Sequence, residues 1–340
     1  MHAFLPAEGC DVFLVDELKQ AGVEAWSSEQ QPFVLAETLP DPPLLAFARQ
    51  TLPNARELSQ VSINGWADQL IEVMLATLPE DQPWHLHLWP AYGEGKAGQH
   101  RCALIHAALG ERLKKRRRSL WRSWQKADAE ILLEEHGLVQ AVLTAPDAGI
   151  ISAAPAPLLQ DLKAIFSTHI AGDIPHAEDK AAPSRAFAKV IEAELRLKQR
   201  IERGQTCVDL GASPGSWSYV AIQRGAHVIA IDRSPLRDDL MRSPRLQFIQ
   251  ADAFKFKPEK PVDWLICDII AAPQRSMDLL LEWLREKQMR RFIVTIKFKG
   301  SDEYHLLSQL KNEAPAFCTD FGLTRLCANK NEVTAFGCVS

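Results

Sequence analysis

Hydrophobic and polar positions change rhythm near residue 185. Before it, short apolar runs are broken by prolines and by helical stretches such as 66–78. The segment WHLHLW, residues 84–89, alternates with period two and predicts a strand whose one face carries His85 and His87. Residues 102–127 predict a helix, with an interruption expected at Gly110. The polar stretch 169–184 holds two prolines and predicts a linker. Beyond it, period-two and helical patterns alternate regularly. A helix is expected over 185–202, closed by Gly204, and others over 217–224, 276–287 and 303–313. Strands are expected over 206–210, 227–232, 247–250, 263–268 and 292–297. Two closing strands, 323–328 and 332–338, flank a turn at 329–331. Strands alternating with helices imply an α/β unit with a mostly parallel sheet covered on both faces. The closing hairpin adds an antiparallel strand and brings the count to seven.

Composition narrows the class without deciding it. The 340 residues are 46% hydrophobic and 24% charged, enough for two domains with separate cores. No run approaches the roughly 18 uncharged apolar residues of a membrane span. The first twenty residues carry acids where a secretory signal would be basic, so a cytoplasmic location without membrane association is expected. The seven cysteines are scattered and form no C-x-x-C pair, which speaks against a disulfide framework or a zinc site; no metal is expected. Cys207 and Cys267 lie in apolar runs and read as core residues.

The net charge of -4 does not by itself suggest nucleic acid, but its distribution does. Between 112 and 126 stand Arg112, Lys114, Lys115, Arg116, Arg117, Arg118, Arg122 and Lys126 without one acid. Phosphate is the usual partner of such a block, and Trp121 and Trp124 within it could stack on unpaired bases. A solvated helix face with two core tryptophans is the plainer alternative.

The loop Asp209-Leu-Gly-Ala-Ser-Pro-Gly-Ser-Trp217 joins an expected strand to an expected helix. Gly211 and Gly215 permit the sharp turn and close approach that a ligand at the sheet edge needs. Ser213 and Pro214 occupy the middle, so this is not the G-x-G-x-x-G of a pyrophosphate cradle. A nucleoside without phosphate and with a cationic end, such as S-adenosylmethionine, suits it better. Asp209 suits the cationic end, Asp232 a pair of ribose hydroxyls, and Asp252 an adenine amino group. Each aspartate could instead cap the helix after it. For Asp232, a helix beginning at Pro235 and capped by Ser234 would free the carboxylate for the ligand.

The fourth strand ends at Asp268, and neither an N/D-P-P-Y pattern for a base amine nor a Pro-Cys pair for pyrimidine carbon-5 chemistry follows it. Lys297 ends the fifth strand, an unusual residue there, while Glu332 opens the last strand and Lys189 lies on the helix before the sheet. A lysine beside a carboxylate suits deprotonation of a sugar hydroxyl, provided burial and a cationic neighbour favour the neutral amine.

Together Lys189, Asp268, Lys297 and Glu332 resemble the Lys-Asp-Lys-Glu tetrad of RNA ribose 2'-O-methyltransferases of the FtsJ/RrmJ type. PSRAFAKVIEAE, VDLGASPGSWSY, AFKFKP and NEVTAF are similar to segments of one branch, the RlmM family of large-subunit (23S) rRNA cytidine 2'-O-methyltransferases. PLLAFARQTLPNARELSQ in the first half also resembles that family, whereas Ser213 and Ser216 depart from its usual Cys and Gly.

The resemblance implies a small ferredoxin-like module over 1–60 and a THUMP-like RNA-binding domain over 61–168. It implies a linker over 169–184 and a Rossmann-like methyltransferase domain over 185–340. It implies S-adenosylmethionine held by Asp209, Gly211, Ser213, Pro214, Gly215, Trp217, Asp232, Asp252 and Asp268. RNA contact falls to Arg112, Lys114–Arg118, Trp121 and Arg122. The implied reaction is in-line methyl transfer to a 2'-hydroxyl of 23S rRNA, before the subunit is fully assembled, with Lys297 as base. A tRNA methyltransferase and an inactive RNA-binding protein of the same fold are the competing readings.

Overall fold

The structure, a computed structural model, describes residues 1–28, 31–93, 96–174 and 178–340. The chain divides into two compact units, Met1–Asp173 and Ile174–Ser340. The linker expected over 169–184 straddles that division, and residues 175–177 of it lie outside the described residues.

The first unit holds two four-stranded sheets. One is built from β1 (His2–Pro6), β2 (Ala25–Ser27), β3 (Val34–Ala36) and β4 (Ala48–Leu52), with helix α1 (Asp11–Gln20) between β1 and β2. The other pairs β5 (Arg56–Leu58), β6 (Trp84–Pro90), β7 (Gly137–Ala145) and β8 (Ala148–Ala154) in the order β5-β8-β7-β6. Trp84, Leu86 and Leu88 of β6 pack with helix α2 (Ile63–Thr77) and helix α3 (Lys96–Arg116). The alternate positions His85 and His87 are buried, and Trp89 joins a cluster with Phe33, Leu52 and Val142. The two sheets thus share an apolar core.

Helix α3 runs through Gly110 without a break, contrary to the interruption expected there. The helix passes beside the Trp121 ring at this point, where a Cβ on the glycine would make ordinary contact at 3.5 Å. The break comes at Arg117 (φ -142°, ψ 67°), and the short α4 (Arg118–Ser123) follows. Helix α5 (Ala156–Asp161) completes this unit.

In the second unit, α6 (Phe187–Leu197) precedes β9 (Thr206–Leu210), α7 (Ser216–Gln223), β10 (His227–Asp232), α8 (Asp238–Met241) and β11 (Leu246–Gln250). Then come β12 (Val262–Cys267), α9 (Pro273–Arg285), β13 (Met289–Lys297), α10 (Leu307–Glu313), β14 (Cys318–Thr324) and β15 (Glu332–Val339). The seven strands form one sheet in the order β11-β10-β9-β12-β13-β15-β14. Strands β9 to β13 run parallel; β15 is antiparallel to both β13 and β14. The central stretches 264–267 of β12 and 292–294 of β13 are continuous apolar runs, fully buried as expected of inner parallel strands. Pro273 opens α9 in the first-turn position where its missing N–H costs nothing.

Several expected boundaries move. Helix α6 ends at Leu197, where Lys198 takes the left-handed conformation (φ 53°), rather than at Gly204. The expected helix at 303–313 starts as a 3-10 turn, Ser301–Leu306, before α10. The penultimate strand lies at Cys318–Thr324, not 323–328, because Leu326 and Asn329 already belong to the turn that returns to β15.

Candidate active site

The carboxyl ends of β9, β10, β12 and β13 meet at one sheet edge, where open α/β sheets bind ligands. Between β9 and α7 the backbone turns through positive φ at Gly211 (75°) and Gly215 (110°). A Cβ on Gly211 would stand 2.9 Å from the Cβ of Ile269, and one on Gly215 would meet Leu240 at 2.4 Å. Gly211 lets the loop lie against the segment after β12, and Gly215 lets it lie against Leu236 and Leu240 after β10. The Ser213–Pro214 peptide between them is cis. Trp217 turns into the core and donates its indole N–H to the Ala186 carbonyl at 3.0 Å.

The strand-end aspartates hold the loop as well as facing this edge. Asp232 accepts from the Ser213 amide at 3.0 Å with one oxygen and from the Ser234 amide at 2.9 Å with the other. No helix begins at Pro235; α8 starts at Asp238, so the Ser234 cap expected to free Asp232 does not form. Asp209 is buried and accepts from the Ser218 hydroxyl at 2.6 Å, tying β9 to the first turn of α7. Burial pushes its carboxyl up to about 7, with the bonds from Ser218 opposing. Asp252 accepts from the Phe254 amide at 3.1 Å and pairs with Arg233 at 3.1 Å. The amide bond, and then the guanidinium, hold it below the usual carboxylate range. Three carboxylates thus stand at or just past the ends of the adjacent strands β9, β10 and β11, the last of them paired with Arg233.

The four residues assembled from the sequence come together at this edge. Lys189, in the first turn of α6, places its Nζ 3.1 and 3.2 Å from the two Asp268 oxygens and 2.5 Å from Glu332 Oε2. Lys297 Nζ stands 3.0 Å from Asp268 Oδ1 and donates to the Asp268 carbonyl at 2.8 Å. Asp268 therefore bridges two lysine side chains, and Glu332 bonds the buried one. The helix before β9 runs antiparallel to it, which carries Lys189 to the same edge. Lys297 and Glu332 sit opposite one another in the β13–β15 register and so share a sheet face. Lys189 is 6% exposed at the side chain and Lys297 23%, so Lys297 is the more accessible of the two side chains.

Asn331 was not singled out from the sequence. Its side chain accepts from the Tyr304 hydroxyl and donates to the Phe298 carbonyl at 2.9 Å, next to both Lys297 and Glu332. Only the turn composition of 329–331 hinted at it.

Residues 182–302 match the model of the FtsJ-like methyltransferase family. The second unit has an FtsJ-like fold. Among curated relatives, ribosomal RNA large subunit methyltransferase M of Thauera aminoaromatica is 36% identical over 166 residues, covering 46% of this chain and 46% of that protein. The protein of the same name from Pseudomonas fluorescens is 35% identical over 167 residues, covering 46% and 47%. That from Pseudomonas putida is 37% identical over 143 residues, covering 40% of each. The chain spans about half the length of the curated relatives it matches. The likeness read from the motifs is the one these relatives carry, and the tetrad's first three members lie inside the FtsJ-like match.

The basic block lies in the first unit. Lys114, Lys115, Arg116, Arg117, Arg118, Trp121 and Arg122 are exposed, and Lys114 Nζ stands 4.6 Å from the centre of the Trp121 ring. Arg112 is engaged with Asp68 at 2.6 Å and Asn64 at 2.9 Å on α2. Trp124 stacks on Trp84 with ring centres 5.0 Å apart, so it belongs to the core. Among the described residues no group of His, Cys, Asp or Glu could hold a metal, and no helix is long and apolar enough to cross a membrane.

Proposed function

We propose that this protein methylates a ribose 2'-hydroxyl of large-subunit ribosomal RNA with S-adenosylmethionine. One observation carries the reading: Asp268 ties Lys189 and Lys297 together at the sheet edge beside the Gly211–Gly215 loop, with Glu332 on the far side of Lys189. Bound S-adenosylmethionine would supply an electrophilic methyl group on a sulfonium. Asp209, Asp232 and Asp252, with the backbone from Gly211 to Gly215, would hold it.

Lys297, the more exposed of the two lysines, takes the proton of the attacking hydroxyl as the neutral amine, while Asp268 fixes that amine's direction through carboxylate and carbonyl together. Lys189 keeps the Asp268 and Glu332 carboxylates in place and adds positive potential near the developing alkoxide. Alignment of hydroxyl and methyl is the protein's largest contribution.

In this reading residues 61–168 are a THUMP-like RNA-binding domain, and the exposed cations of α3 and α4 hold the RNA backbone. The substrate is 23S rRNA before the subunit is complete, in the cytoplasm; its assignment to a cytidine rests on the motif resemblance. Mapping 2'-O-methylation across rRNA from a strain lacking the protein tests it. One ribose methyl should vanish from the large-subunit RNA and return with the wild-type gene. An unchanged map would end the reading.

A further inference from the structure

Lys297 is the last residue of β13 and Glu332 the first of β15, so two tetrad members stand where a ladder normally frays. Past them the Phe298 amide donates to the Asn331 carbonyl at 3.0 Å, and the Asn331 side chain returns a bond to the Phe298 carbonyl at 2.9 Å. The amide side chain therefore adds one more rung in place of the backbone bond that the departing chain cannot make. Its oxygen accepts from the Tyr304 hydroxyl, and the Tyr304 ring meets the buried Phe298 ring edge-on at 5.0 Å. Tyr304 belongs to the 3-10 turn after β13, so Asn331 joins three segments beside the two side chains.

We propose that Asn331 is a positioning residue for methyl transfer, acting through Lys297 and Glu332, with Tyr304 as its support. This rests on the reading of the site as a ribose methyltransferase centre. The Lys297 amine is anchored from the β12 side by Asp268; Asn331 fixes the backbone from which that side chain starts. Asn331 acts on the tetrad through its bonds to Phe298 and Tyr304, at the strand ends that carry Lys297 and Glu332. A shift of about 1 Å in a reacting group can cost about 100-fold in rate.

The test is steady-state transfer of labelled methyl from S-adenosylmethionine to rRNA by the full chain, with cofactor affinity and thermal unfolding measured on each variant. For Asn331→Ala, kcat should fall about 10- to 100-fold, with KM for RNA and Kd for S-adenosylmethionine within about twofold of wild type. Asn331→Asp keeps the acceptor for Tyr304 but loses the donor to Phe298, so it should fall nearly as far. Tyr304→Phe should lose only several-fold, and Tyr304→Phe with Asn331→Ala little more than Asn331→Ala alone, because one linkage is removed. A kcat within twofold of wild type in both Asn331 variants overturns the proposal. So does a loss in kcat matched by equal losses in cofactor affinity and unfolding temperature, the signature of a purely structural residue. Wild-type protein that transfers no methyl to ribose would instead overturn the functional reading.

Discussion

Gly211 carries two constraints at one position: its φ of 75° and its contact with the segment that follows Asp268. Gly211→Ala should therefore destabilise the second unit by about 1–3 kcal/mol, the usual cost of a side chain held in the left-handed region, and weaken cofactor binding. Denaturant unfolding and calorimetric titration check both; an unchanged midpoint would contradict the packing described. The glycine, Asp268, Lys297 and Glu332 were legible in the sequence because strand ends mark the functional edge of an α/β sheet, whereas Lys189, on a helix, joined them through the motif resemblance. Lys297 stood out as a charge ending an apolar strand, and Glu332 as an acid opening one. The strand-end aspartates were legible as positions but not as partners. Asp232 and Asp252 both hold backbone amides, and the Ser218 bond to Asp209 depends on how the first turn of α7 meets β9. Asn331 was illegible because its role arises from the meeting of Phe298 and Tyr304, neither of which is marked by periodicity.

Among the elements, β6 shows what alternation can and cannot reveal. Period two placed His85 and His87 on one face, but not their burial. His85 shares a bond with His136 at 2.9 Å, and burial first, then that neighbour, lowers it to about 4. Burial, with His85 and His169 nearby, lowers His87 to about 3. Both folded values lie below the ordinary histidine value near 6.5, so the unfolded chain binds more protons as pH falls. The stability of the first unit should be complete above pH ~6.5 and decline as pH drops towards ~3, by at most about 1.4 kcal/mol per unit for each histidine. Unfolding followed across that range should show the decline, and His87→Leu should flatten it; an unaltered slope would count against this assignment.

Helix α3 teaches the complementary lesson, since Gly110 reads as a breaker yet lies inside an unbroken helix. On the exposed side, Lys115→Ala, Arg116→Ala and Arg117→Ala together should weaken RNA binding and reduce the slope of log affinity against log salt by up to about 3. An unchanged slope would remove this surface from the RNA-binding account.

At the scale of the whole molecule, strand–helix alternation after residue 185 sufficed for a seven-stranded sheet and its antiparallel close. The first unit was less legible, because its two small sheets share one cluster around Phe33, Leu52 and Trp89 that no local pattern announces. Boundaries slipped where tertiary contacts overrode local signals, as at Lys198 and at the start of β14. The proposed methyl transfer depends on Lys297 at the end of β13. The most direct measurement is single-turnover transfer of labelled methyl from S-adenosylmethionine to rRNA by wild type and Lys297→Ala, with the product digested to nucleosides. Wild type should yield a 2'-O-methylated nucleoside; the variant should yield none above background while binding the cofactor as tightly. Methyl found on a base, or substantial ribose methylation by the variant, would contradict the mechanism.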